Sequence, residues 1–155
     1  MMIAYTRADG GVSIVVSAPK EAIEEFAGRM TVKEYRRHVH VRSIPADATD
    51  VVYLPTNWSP PCDRSFRDAW VMNAGQVSIH MPKARDIWRG KMRAKRALLL
   101  PLLDVQFQRA QETGACTAGI VSAKQALRDV TQDPAIEAAQ TPEELRAVWP
   151  DALSG

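Results

Sequence analysis

Residues 82–113, PKARDIWRGKMRAKRALLLPLLDVQFQRAQET, read as one long helix with a basic first half and an apolar second half. Pro82 stands where a first-turn proline belongs, because its missing N–H has no intrahelical partner there. Ala, Leu, Arg, Lys, Met and Gln, all good helix formers, dominate the stretch. Apolar residues return at helical spacing: Ala84, Ile87 and Trp88, then Leu98, Leu99, Leu102 and Leu103, then Val105, Phe107 and Ala110. Gly114 follows at once and can supply a left-handed C-cap. Pro101 opposes the pattern. An interior proline removes a backbone hydrogen bond and clashes with the preceding turn, so a kink or break is expected near Leu98–Leu100. Gly90 is a second weak point, at about 1 kcal/mol relative to Ala.

Charge along this helix is lopsided. Lys83, Arg85, Arg89, Lys91, Arg93, Lys95 and Arg96 are opposed in the first half by Asp86 alone. One reading is a basic surface for nucleic acid, an anionic membrane or an acidic protein. The other is a solvated face whose aliphatic stems cover apolar surface. The positives run nearly all round the helix rather than along one stripe. The apolar second half reads as core packing, against a second helix.

The whole chain has 155 residues, the length of one domain and enough to bury a core. Its composition, 46% hydrophobic and 25% charged, is ordinarily globular. A net charge of +2 excludes a polycation, so any affinity for phosphate backbones must be local to the helix. Cys62 and Cys116 make no CxxC pair and no zinc pattern with His38, His40 or His80. A disulfide between them stays open beside two small thiols. The opening MMIAYTRADGG lacks the charged-then-apolar pattern of a secretory signal, so cytosolic synthesis is expected. The longest apolar run, residues 97–103, is too short for a bilayer.

Upstream, Met2–Ser17 reads as a β-hairpin turning at Ala8-Asp9-Gly10-Gly11, since Asp-Gly between β-prone runs favours such a turn. A helix is expected from Pro19 to about Gly28, with Pro19 at its first position and Ile23 and Phe26 inward. Thr31 is placed to cap a second short helix. Residues 38–42, HVHVR, alternate like a partly exposed strand, which would put His38 and His40 on one face without a third metal ligand. Val51–Leu54 is a further strand. Pro55–Asp63 holds three prolines and is irregular; its Trp58 either offers a rigid recognition surface or covers the core. Arg64–Val71 reads as extended, turning at Asn73-Ala74-Gly75 into the strand Gln76–Met81. About four strands would then form one small antiparallel sheet, with Asp63, Arg64, Arg67 and Asp68 as an ion-pair cluster.

Beyond Gly114, Ala118–Thr131 has an amphipathic helical pattern and can fold back on residues 98–110 as an αα-hairpin. Asp133–Gln140 reads as a loop or turn. Thr141-Pro142-Glu143-Glu144 opens a last helix with a capping box. Pro150 ends it, and the tail 151–155 is expected to fray. The expected class is α+β: an antiparallel N-terminal region, residues 1–81, then a helical region, residues 82–150, together one compact unit.

Three segments carry a resemblance: FRDAW at 66–70, the long helix with its following glycine, and KQALRDVTQDPAIEAAQTPEELRAVWP at 124–150. Their order resembles small proteins of tailed-bacteriophage and prophage morphogenesis clusters. Arg96–Pro150 is similar to the phage tail assembly chaperone family, through Lys124–Thr131 and its QALRD helix and through the closing Trp149-Pro150. The region before Met81 is additional to the compact chaperone pattern. The resemblance implies a non-enzymatic assembly or structural protein. Its partners would be tail, fibre or baseplate proteins, with self-association open. It would reside in the host bacterial cytoplasm during assembly or in the virion.

The partner-binding candidates are Trp58, Arg85, Trp88, Arg89, Lys91, Arg93, Lys95 and Arg96, because interface energy concentrates in Trp, Tyr and Arg. A nucleic-acid-binding module using residues 83–96 is the alternative. No nucleophile with a base beside it, carboxylate pair or Gly-rich cradle is legible, so no catalytic residue, cofactor or metal is expected.

Overall fold

The computed structural model describes residues 1–61 and 64–154, with the side chain of Phe26 left out. Cys62, Asp63 and the inward placement expected of Phe26 lie outside the described residues. The architecture is α+β, and the chain divides into two compact units, Met1–His80 and Met81–Gly155.

The first unit is built on a three-stranded antiparallel sheet. Strands β1 (Met2–Thr6), β2 (Val12–Val16) and β3 (Thr49–Leu54) lie in the order β2-β1-β3. Gly10, at φ 77°, closes the β1–β2 turn, and the N–H of Gly11 donates to Asp9 Oδ1 at 2.9 Å. The β1–β3 ladder slips between Ala4 and Thr6; Asp50 there adopts φ 47° and accepts from Thr6 Oγ1 at 3.1 Å.

Side chains alternate across the sheet as the pleat requires. Ile3 and Tyr5 join Val15 and Val51 on the face packed by helices α1 (Lys20–Ala27) and α2 (Val32–Ser43), through Ile23, Tyr35 and Val39. Ala4, Val12, Val52 and Leu54 pack on the other face against a separate two-stranded hairpin, β4 (Trp70–Asn73) and β5 (Gln76–Ile79). The single four-stranded sheet expected from sequence is thus a sheet of three and a hairpin of two. Ala74 and Gly75, at φ 49° and 77°, make that hairpin's tight turn.

Two further local expectations are corrected. Residues 38–42 are helical, as part of α2, and not a strand. Thr31 accepts from the N–H of Glu34 while the Glu34 carboxylate accepts from the N–H of Thr31, a complete capping box that starts the helix. Tyr35 and Val39, at i and i+4, are then buried together, so the apparent alternation yields to helical packing. Arg64–Ala69 is not extended: it forms 3₁₀ turns that bury Phe66 and Ala69 before β4 begins.

The second unit is organised by α3 (Met81–Thr113), 33 residues long. It continues through Pro101 without a break, despite a cost of about 3 kcal/mol for interior proline. Both halves are held from outside: Ala84, Trp88 and Met92 are buried in the first, and α4 (Ala118–Asp129) packs on the second. Gly114, at φ 66°, ends α3 as expected. Asp104 pairs with Lys124 at 2.6 Å, and Arg96 lies beside Arg128, so α4 runs antiparallel along α3 in the expected αα-hairpin. Residues 133–140, expected as a loop or short turn, contain the short helix α5 (Pro134–Ala138), capped by Asp133.

The last helix, α6 (Pro142–Ala147), is capped by Thr141, but the Glu144 carboxylate accepts from the N–H of Gln140 at 2.8 Å rather than from Thr141. The expectation of a frayed tail is corrected for residues 151–153. Asp151–Leu153 form a 3₁₀ turn, and Leu153 is 1% exposed. Replacing it with alanine should cost about 2–5 kcal/mol. Urea denaturation of Leu153→Ala checks this; a frayed tail would leave the midpoint unchanged.

Candidate functional site

Three of the four arginines in the basic half of α3, Arg85, Arg89 and Arg96, donate to backbone carbonyls within its own unit. The last carbonyls of a helix have no intrahelical partner, and α4, the 3₁₀ turn after it and α5 end close to α3. Arg85 donates from Nε to the carbonyl of Ile136 at 3.1 Å and from a terminal nitrogen to that of Ala139 at 2.8 Å. Arg89 donates from Nε to the carbonyl of Thr131 at 3.3 Å and pairs with the Glu137 carboxylate. Arg96 reaches the carbonyl of Arg128 at 3.3 Å. A planar guanidinium with several divergent donors suits this work, as an ammonium does not.

The remaining candidates fall in different settings. Trp88 is a core residue at 9% exposure; its indole N–H donates to the carbonyl of Val148 at 2.8 Å, and its ring meets Trp149 edge-on at 5.3 Å. Lys91 lies over the Trp88 ring at 5.4 Å. Lys95 is half-buried, and Arg93 is exposed. Trp58 belongs to the first unit, where it covers the cluster of Ala4, Val12, Leu54 and Trp70. The structure therefore gathers Arg85, Trp88, Arg89, Lys91 and Arg96 into intra-unit contacts rather than one free basic surface.

The apolar half of α3, expected to be core, carries the exposed surface instead. Leu98 is 70% and Leu102 60% exposed, and Val105 and Val121 are exposed as well. Leu98, Leu102 and Val105 stand at i, i+4 and i+7, one continuous stripe. Beside it, Leu99, Leu102, Leu103, Gln106, Ala123 and Ala126 line an open groove of about 480 Å³ between α3 and α4, with Ala152 of the C-terminal 3₁₀ turn at its edge. Among the described residues no side chain lining it ionises. The signal was present in sequence: leucines at 98, 99, 102 and 103 cover more of the helix than one partner helix can hide.

His38 and His40 do not share a face, because residues two apart on a helix diverge. No group of three His, Cys, Asp or Glu side chains among the described residues is placed to hold a metal ion. Cys116 is an exposed free thiol. Among the described residues no helix is long and apolar enough to cross a membrane. The chain matches no family model, no curated protein and no solved structure.

Two predictions test the arginine contacts. Arg85→Met should lose about 2–4 kcal/mol, since charge-assisted hydrogen bonds contribute about 1.5–3 kcal/mol each and two buried carbonyls lose their donor. Arg85→Lys should recover only part of it in urea melts. The Arg89 hydrogen bond holds the Glu137 carboxyl below its ordinary value. A folded pKa below the unfolded one adds stability above the ordinary glutamate value of about 4.3, lost as pH falls through the lower folded value. Glu137→Gln should therefore flatten that part of the acid limb of the stability–pH curve and leave Arg89 bonded to Thr131.

Proposed function

We propose that this protein is a non-enzymatic interaction protein of bacteriophage assembly, which binds a helix of another virion protein in the groove between α3 and α4. The observation that carries the reading is the exposed stripe Leu98, Leu102 and Val105 beside the apolar groove. Exposed leucines at helical spacing next to a furrow between antiparallel helices suit an amphipathic helix laid along them. Covering each large side chain is worth about 1.5–3 kcal/mol before the cost of association. An apolar lining without an ionisable group suits binding rather than catalysis.

The phage context rests on the resemblance of the Lys124–Thr131 segment and of Trp149-Pro150 to tail assembly chaperones. That segment forms much of α4, one wall of the groove, and Trp149 packs on Trp88. The partner would be a tail, fibre or baseplate polypeptide, met in the host cytoplasm or kept in the particle.

Affinity capture from infected cells and mass spectrometry of purified particles test this together. A tail, fibre or baseplate protein should co-purify with the wild-type chain. The Leu98→Asp/Leu102→Asp variant should lose it, while each surface change shifts stability by only about 0.5 kcal/mol. Capture that persists in the variant removes the groove from the reading. Absence from particles together with no phage partner removes the assembly role.

A further inference from the structure

The first unit presents a second surface, on α2. Its helical form places Lys33, Arg36, Arg37 and His40 at i, i+3, i+4 and i+7, one face of the helix. With Val32, Val41 and Tyr53 of β3 they line an open depression of about 560 Å³. Among the described residues no carboxylate lines it. The single acid of α2, Glu34, is engaged at the cap by the N–H and hydroxyl of Thr31, at 2.7 and 2.8 Å. Asp50 of β3 accepts from Thr6. Among the described residues the row of cations therefore has no carboxylate facing it in this depression.

It is also held in place. The Arg36 guanidinium lies over the Tyr53 ring at 5.3 Å, and the Tyr53 hydroxyl sits 3.4 Å from His40 Nδ1. A cation fixed on an aromatic face loses less conformational freedom on meeting an anion. At the two ends of the row stand valines turned to solvent, Val32 at 58% and Val41 at 72% exposure.

We propose that this face of α2, with Tyr53, is a docking site for an acidic protein segment in which apolar residues alternate with Asp or Glu. The carboxylates meet Lys33, Arg36 and Arg37, and the apolar residues cover Val32 and Val41. A phosphate backbone would answer the charge but leave both valines exposed, and one face of Tyr53 is already taken by Arg36. An anionic membrane would need an apolar stripe to insert, whereas Tyr35 and Val39, the other large apolar side chains of the helix, are buried in the unit's own core. The site is independent of the α3–α4 groove.

The test uses the full chain and a fluorescein-labelled peptide of repeating Glu-Glu-Leu, followed by anisotropy at low and high salt. Binding should saturate and weaken with salt. Lys33→Glu/Arg37→Glu, which leaves the Arg36–Tyr53 contact intact, should weaken it by about tenfold or more. Val41→Ser should weaken it by about threefold, the size expected for losing one small apolar contact. Circular dichroism establishes that each variant is folded, and Lys33→Ala/Arg37→Ala replaces the charge reversal if that variant is not. Absence of peptide binding at low salt overturns the proposal, as does binding indifferent to the charge change. So does tighter binding of an oligo-dT strand or of phosphatidylserine vesicles than of the peptide, or an all-Glu peptide that binds as well and ignores Val41→Ser.

Discussion

A helix leaves its last carbonyls without partners, and the second unit meets that constraint with the arginines of a single helix. Arg85, Arg89 and Arg96 reach from α3 to the carbonyls where α5, the 3₁₀ turn and α4 finish. Helices as short as α5 and α6 have little stability of their own. They are held in part because α3 supplies donors for their ends, Arg85 to Ile136 and Ala139 and Trp88 to Val148. Positive charge at helix C-termini also opposes the helix dipole favourably. The basic half of α3 is for this reason the frame on which the second unit is assembled.

This inverts the usual division of a helix into charged exterior and apolar interior. Arg85, Arg89 and Arg96 bond to backbone within the unit, while Leu98 and Leu102 face water. Leu98 and Leu102 lie on a segment packed by α4 and, at Ala152, by the C-terminal 3₁₀ turn, and both stay exposed. The uncovered stripe is what gives the unit a surface suited to a partner.

Much of the local structure was legible in the sequence. Asp9-Gly10 marked the first turn, Ala74-Gly75 the second, and Gly114 the end of α3, because each needs a positive φ. Thr31 and Thr141 marked helix starts, because their hydroxyls accept from the first-turn N–H groups. These signals act over three or four residues and depend on little else. The segment 38–42 misled because alternation and helical periodicity are hard to tell apart over five residues. The cap at Thr31 and the burial of Tyr35 and Val39 settled it as helix, and that in turn created the basic face of α2.

The sequence by itself determined several of the turns and helix starts, at Gly10, Gly75, Gly114, Thr31 and Thr141, since caps and glycines act through the nearby backbone. It marked helix on either side of Pro101 but left open whether the proline would kink or break it, which the packing on both halves decided. Only the tertiary structure decided which side chains are consumed within the fold and which remain at its surface. Arg85 and Ile136, or Trp88 and Val148, are far apart along the chain, and no local pattern announces that they meet. The same holds for the leucines of α3, whose exposure depends on how much of the helix α4 can reach. Burial is a property of what comes to lie opposite a residue, and that is fixed by packing between distant segments.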